Sequence, residues 1–297
     1  MPTTLYLSFK PEHYETAVKL LNEDLDRIVN WSKQNTLLLN PTKTKFMLFG
    51  SKGQLDKINS NLTNVIVTGQ RIDRVYEARN LGLIIDQDLR FEAHTANCVK
   101  NCFYRLKVLY KMRPYLSEDL RVQLVESLVL SKLNYADTVV GPRLLARTVR
   151  LIQRVQNACA RFCFNVPPRS YITPFLNKNI ILRMKSRRKL HLACLLFGVI
   201  NYKCPTYLYS KLAWVNSHRQ RKARRCAQQL ATLHHRTAAF RGSFRYAASK
   251  CWNFIPRPIR DLKNISSFKT RLKKFILSSQ IEFNDMNIDK SFILSFY

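Results

Sequence analysis

From residue 142 to residue 274 the chain has 30 Lys and Arg against a single acid, Asp261, a net charge of +29. Such a block repels itself, so its fold must expose the charge and meet a polyanionic partner. Residues 1–90 are close to neutral, with 12 Lys and Arg against 10 Asp and Glu. Nearly all of the overall +31 therefore sits in the second half. Nucleic acid is the first expectation for the partner, and an anionic membrane surface is the next. An apolar content of 46% over 297 residues can supply cores for two domains, and 17 Phe with 13 Tyr argue against wholesale disorder.

Several function classes drop out. With 7 Gly and no G-x-x-x-x-G-K-S/T, a phosphate-binding Gly-rich loop is not expected. The eight cysteines, Cys98, Cys102, Cys159, Cys163, Cys194, Cys204, Cys226 and Cys251, are dispersed. Met1-Pro-Thr-Thr has neither a basic nor an apolar signal region, so reduced thiols in a nuclear or cytoplasmic protein are expected, not a secreted one. The apolar run Leu192–Ile200 is too short to span a bilayer, so a transmembrane protein is not expected, and nucleic acid is taken as the partner ahead of a membrane. Cys98/Cys102 and Cys159/Cys163 are i, i+4 pairs on expected helices and lack zinc-knuckle spacing. Cys226, His234, His235 and Cys251 are too spread for a knuckle, so no metal site is assigned. The six histidines form no triad pattern, and His94 is given no chemistry.

Residues 1–90 read as mixed α and β. Leu5–Phe9, Lys45–Phe49, Val65–Val67 and Leu81–Ile85 are strand candidates. Residues 14–33 have helical spacing, with Ala17, Leu20, Leu21, Leu25, Ile28 and Trp31 on one face. Beyond residue 91 the pattern turns helical: 93–113, 118–138, 144–165 (ended by Pro167-Pro168), 179–201 and 266–279. Residues 215–242 read as a loop or a poorly ordered segment. The expected class is an α+β N-terminal part, of short antiparallel strands plus one long helix, followed by mainly α-helical parts. The expected divisions are 1–90, 91–168, 169–279 and a loosely held tail over 280–297.

The binding feature best argued from spacing is the helix 144–165. Arg143, Arg147, Arg150, Arg154 and Arg161 fall within an arc of about 60°, while Leu144, Leu151, Val155, Ala158 and Phe162 lie mainly on other faces. Guanidinium forks on one stripe suit phosphate contact. Arg183, Lys185, Arg187, Arg188 and Lys189 form a second cluster. The run around Arg221, Lys222, Arg224 and Arg225 forms a third and also resembles a nuclear-localisation run. Tyr202, Tyr207, Tyr209, Trp214, Phe244, Tyr246 and Trp252 interleave with these, some as stacking candidates and most as core.

Ordered motifs run along the whole chain. Trp31…Asn35-x-Leu37-x-Leu39-Asn40…Lys43-Thr-Lys45…Met47-x-Phe49 is similar to the polymerase motif called D. Val75…Arg79-Asn80-Leu81-Gly82-Leu-Ile-Ile85-Asp86…Leu89 is similar to the primer-grip hairpin. Leu133-Asn-Tyr135-Ala136, Gln153…Gln156-Asn-Ala158…Arg161 and Ala247…Cys251-Trp252-Asn253-Phe254-Ile255-Pro256…Ser267-Phe268-Lys269…Leu272 follow. Together they resemble the late palm, thumb and basic C-terminal domain of a non-LTR retrotransposon reverse transcriptase of the jockey-like branch. The resemblance implies an RNA-directed DNA polymerase whose Tyr-Ala-Asp-Asp strand would precede residue 1. This chain alone would then be inactive, with no cofactor of its own and Mg2+ only in the complete polymerase.

The same resemblance implies that Lys43 is the candidate acid for the pyrophosphate leaving group, with Lys45 as competitor. It implies that Asn80, Leu81 and Gly82 approach the primer backbone. A Gly in a strand would allow that approach, and a β-bulge or strand packing explains it equally well. RNA and DNA, as template–primer duplex and target DNA, would be the partners. Two carboxylate groups invite a metal reading. Asp86-Gln-Asp88 reads better as a turn. Tyr135-Ala136-Asp137-Thr138 lacks the second Asp and ends a helix. Two other readings stay open: a host-retained basic nucleic-acid-binding or interaction protein, and an inert fragment of a decayed element.

Overall fold

A computed structural model describes residues 4–37, 39–58, 64–215 and 229–285. The chain divides into two compact units, Met1–His94 and Thr95–Tyr297. It is helix-rich, with two small antiparallel sheets in the first unit. Among the described residues no helix is long and apolar enough to cross a membrane.

In the first unit, helix α1 (Tyr14–Gln34) packs on the hairpin of β1 (Ile66–Val67) and β2 (Gln70–Arg71). Its Val29 is buried, and Val18, Leu21 and Leu25 half-covered, against Val65, Val67 and Ile72; nearer its start Tyr14 and Ala17 are also buried, Tyr14 beside the Phe9 ring at 5.7 Å. The face expected from spacing is therefore rotated: Leu20 and Trp31 are exposed. Asn22 fixes the rotation. Its amide donates to Asn64 O at 2.9 Å and its Oδ1 accepts from Ile66 N at 3.0 Å, closing on the hairpin backbone. One more helical turn, α2 (Lys52–Leu55), begins at a capping box made by Ser51 and Gln54.

Two strand expectations fail for one reason. Leu5–Phe9 has no ladder partner among the described residues, and Leu5, Tyr6 and Leu7 are exposed. Lys45–Phe49 is reduced to a single bridge between Phe46 and Arg74. A strand exists only through its neighbour's hydrogen bonds, which composition does not supply. The second hairpin pairs β3 (Glu77–Asn80) with β4 (Leu83–Asp86). Leu81 and Gly82 are its turn, with φ of 46° and 83°. Gly82 is thus a turn residue, not a strand residue: both central positions of such a turn need positive φ.

The second unit opens with three packed helical segments. Helix α3 (Glu92–Met112) turns Cys102, Leu106 and Leu109 inward. Helix α4 (Glu118–Leu124) is capped by Ser117, whose Oγ accepts from Leu120 N. It continues through a π-helical stretch, Val125–Leu130, into α5 (Ser131–Asn134). The expected helix 118–138 breaks there, because Ala136 is left-handed, and α6 (Asp137–Val140) starts anew. Helix α7 (Ala146–Phe164) buries Ile152, Val155, Cys159, Phe162 and Cys163. Tyr110 meets the Phe162 ring edge-on at 5.0 Å.

Next come α8 (Thr173–Lys178) and α9 (Met184–Tyr202), which starts five residues later than the spacing suggests. Among the described residues, α10 (Thr206–Tyr209), α11 (Ala238–Arg241), α12 (Phe244–Phe254), α13 (Arg257–Arg260) and α14 (Ile265–Asp285) follow. Their core joins Phe197, Trp252, Phe268 and Leu272, with Phe268 0% exposed. The Phe268 ring lies 4.5 Å from that of Phe197 and 6.3 Å from that of Trp252.

Three expectations about this second unit change. Residues on both sides of 168 belong to one unit, tied by Gln156, which is 2% exposed and donates to Leu182 O at 2.8 Å. Of the expected loop 215–242, residues 216–228 lie outside the described residues and 231–237 form no regular element, while Leu230 bridges to Trp214 and 238–241 form α11. Of the tail expected over 280–297, residues 280–285 continue α14, with Gln280 Oε1 accepting from Arg183 N at 3.1 Å, and residues 286–297 lie outside the described residues.

Glycine scarcity shows at the helix ends. Leu37, Val166 and Ile181 donate back to Ser32, Arg161 and Leu176, closing Schellman-type turns. The left-handed residue in each is Thr36, Asn165 or Ile180, with φ of 55°. Glycine is the usual occupant; for other L-residues this conformation costs roughly 1–2 kcal/mol.

Candidate nucleic-acid interface

The five-arginine stripe resolves into two roles. Arg147, Arg150 and Arg154 are exposed along the outer face of α7, together with Leu151, which the spacing had assigned to packing faces. The two end residues are drawn into the fold. Arg143 Nη1 donates to Ala239 O at 2.9 Å, and its side chain lies so close to Gly242 that a Cβ there would meet Arg143 Cδ at 3.0 Å. Arg161 donates to Asn157 O at 3.4 Å and to Ser170 O at 3.1 Å. Three guanidinium groups at i, i+3 and i+7 on a rigid helix can form parallel forks to successive phosphates.

The second cluster is knitted more deeply into the structure. Arg183 Nη2 donates to Thr173 Oγ1 at 2.9 Å. Arg187 grips Glu126 with both terminal nitrogens, at 2.6 and 3.0 Å. Arg188 packs over Gly141, where a Cβ would meet its Cδ at 2.9 Å. The Lys189 ammonium lies 4.9 Å from the Phe254 ring centroid, and burial holds its pKa below the usual lysine value. Burial and the neighbouring Lys189 charge lower that of Lys185 as well. Arg221, Lys222, Arg224 and Arg225 lie outside the described residues.

Among the aromatic candidates, Tyr202 and Tyr207 are exposed, while Trp252 is buried and Trp214 and Phe244 pack against the same core.

In the first unit, Lys43 closes a 3-10 turn, Pro41–Lys43, whose amides at Thr42 and Lys43 donate to Asn40 Oδ1. Its side chain is exposed. Its competitor Lys45 is held by Asp73 at 3.3 Å. Asn80 Nδ2 reaches Thr4 Oγ1 at 3.4 Å, and Leu81 is 72% exposed at the hairpin tip.

The carboxylates do not fit a two-metal site. Asp86 accepts Arg90 N at 2.8 Å and Phe91 N at 2.5 Å, so it holds the turn into α3. Asp137, buried, pairs with His191 Nδ1 at 2.6 Å, joining α6 to α9. Among the described residues no group of three or more His, Cys, Asp or Glu could hold a metal ion. Burial pushes the thiols of Cys102, Cys163 and Cys251 up to about 12, which disfavours the thiolate.

His94 is a buried structural histidine whose Nδ1 accepts from Ile84 N at 3.4 Å. Burial first, and the Arg79 charge second, push its pKa down. The unfolded chain, with an ordinary value of about 6.5, therefore binds more protons than the folded chain as pH falls. Stability is expected to be highest above that pH and to fall through it, levelling off only below the depressed folded value. Urea melts at pH 5 and pH 7.5 check this. His94→Asn should narrow the gap between the two midpoints; an unchanged gap would assign the pH dependence to other groups.

Sequence reading missed the outer face of α3, where Lys100, Tyr104, Lys107 and Lys111 are exposed. Their i, i+3 and i+4 spacing is the sequence signal for this face; it is weaker than the arginine clusters because single lysines are common on any solvated helix. Compared with known proteins, the chain matches no family model, no curated protein and no solved structure.

Proposed function

We propose that this chain binds nucleic acid as the late-palm, thumb and C-terminal part of a reverse transcriptase of the non-LTR retrotransposon type, working in the nucleus or cytoplasm. The observation that carries the binding half is the exposed row Arg147, Arg150 and Arg154, set in a block with 30 basic residues and one acid. That row is exposed to solvent, and a phosphate backbone carries the complementary charge for such a basic face. The ordered motifs from Trp31 to Leu272 support the family half. In this reading α7 tracks the template–primer backbone and the basic remainder holds RNA or target DNA. Lys43 assists the leaving pyrophosphate only where a complete polymerase supplies the metal-holding carboxylates.

The test is affinity for an RNA–DNA duplex against salt. Several phosphate contacts should cost tens- to thousands-fold in affinity between about 50 and 200 mM salt. A flat response would reject the binding half. Deoxynucleotide incorporation by the purified chain alone would reject the assignment of its carboxylates to structure.

A host-retained basic nucleic-acid-binding protein is the second reading. It is favoured by the way the family-like residues Gln156, Trp252, Asn253 and Phe268 all serve the fold. Such a chain can hold nucleic acid with no polymerase around it.

A further inference from the structure

The geometry points to a second interface on α3, built for unpaired bases: a single-stranded DNA or RNA segment lying along Lys100, Tyr104, Lys107, Val108 and Lys111 and ending at Tyr115. The inference rests on the nucleic-acid-binding reading and adds the strand state that one surface selects.

At 100° per residue the first five side chains fall within an arc of about 100°, lysines on one edge and Tyr104 with Val108 on the other. From Lys100 to Lys111 the row covers about 16 Å of helix axis. The opposite face is anchored, with Cys102, Leu106 and Leu109 buried at 0%, 3% and 5%. The outer side chains are therefore presented by a fixed helix. Tyr104 is 70% exposed, Val108 44%, and Tyr115, in the 3-10 turn that follows, 89%.

The neighbours make the contrast. Arg105 donates to Leu128 O, Arg113 to Asn165 Oδ1, and the Arg113 guanidinium covers the Tyr110 ring. These groups belong to the fold. Lys100, Lys107 and Lys111 have no ion pair or hydrogen bond among the described residues, and the rings of Tyr104 and Tyr115 have no stacking partner there. No acid occurs between Glu92 and Glu118, so the segment itself puts no carboxylate beside these lysines. A row of cations beside open aromatic faces matches a strand with its phosphates on one side and its bases on the other. A duplex hides its base faces in the stack and cannot use the tyrosines. An acidic protein would satisfy the lysines and leave the rings without a partner.

Four proteins decide it: the parent chain, Tyr104→Ala/Tyr115→Ala, Tyr104→Phe/Tyr115→Phe, and Arg147→Ala/Arg150→Ala/Arg154→Ala. Fluorescence anisotropy measures each on oligo(dT), oligo(U) and a duplex of equal length, with far-UV circular dichroism to check that the fold is retained. The tyrosine variant should lose about 10-fold or more on both single strands, given the usual worth of base–aromatic stacking. It should keep its duplex affinity, and Tyr104→Phe/Tyr115→Phe should behave as the parent. Equal losses on single strand and duplex, or no loss on either, would overturn the inference. A parent that binds duplex but no single strand overturns it while leaving the general reading intact. A parent that binds neither overturns both.

Discussion

Replacing Arg147, Arg150 and Arg154 together by alanine is expected to weaken duplex binding on the order of 100-fold. At about 1 kcal/mol for each exposed charge-assisted contact, three give roughly 3 kcal/mol. The salt response gives the sharper measure. Each phosphate contact releases counterions, so losing three should flatten the slope of log K against log salt by about 2.7 on duplex. Filter binding or anisotropy across a salt series measures both effects. The fold should be unchanged, because all three side chains are exposed on α7. Arg161→Ala provides the contrast. Its guanidinium ties α7 to Ser170 O, so its loss should lower the melting temperature and leave the salt slope nearly intact. If the triple variant keeps the parental slope, the row is a solvated face and the interface lies elsewhere.

The second large effect is on stability. Phe268→Ala removes a ring that is 0% exposed and wedged between Phe197 and Trp252. A buried Phe truncated to Ala costs about 3–5 kcal/mol through lost transfer energy and the cavity left behind. Domains are stable by only about 5–15 kcal/mol, so much of the margin would go. Urea unfolding followed by tryptophan fluorescence is the measurement, since Trp252 abuts the site. Leu272→Ala, one helical turn on and also 0% exposed, should fall at about 2–5 kcal/mol. An exposed residue of the same helix, such as Lys269 or Lys273, should be replaceable by Ala within about 0.5 kcal/mol. Near-parental stability of Phe268→Ala would mean that α14 does not close this core.

Sequence reading served best where a long period met a single partner face. Helices α3, α7 and α14 are visible in the spacing of their apolar residues, because burial on one side imposes it, whereas for α1 the spacing gives the helix but not its buried face. Boundaries failed where the backbone departs from type. Ala136 and Ile180 are left-handed with no glycine to mark them, so helices were run through or begun too early. Strands failed where composition was strand-like but no neighbour paired, as at Leu5–Phe9. The interface was half legible. Spacing put five arginines on one stripe, but the diversion of Arg143 depends on Ala239, 96 residues away, which no local pattern encodes. Asn253 gave no polar signal beyond its type, yet its amide accepts from Leu230 N at 2.9 Å and donates to Leu230 O at 2.7 Å.

The arginine row on α7 shares its helix with the fully covered Val155 and Phe162. Those anchors mean that the three cations hold their spacing before any ligand arrives. A disordered basic tail of equal charge would have to give up backbone entropy on binding; this row has its backbone already fixed and gives up side-chain freedom alone. Association through it should therefore proceed without coupled folding, so its heat capacity should barely change. The helix acts as a ruler cut in advance, with the packed core behind it setting the divisions.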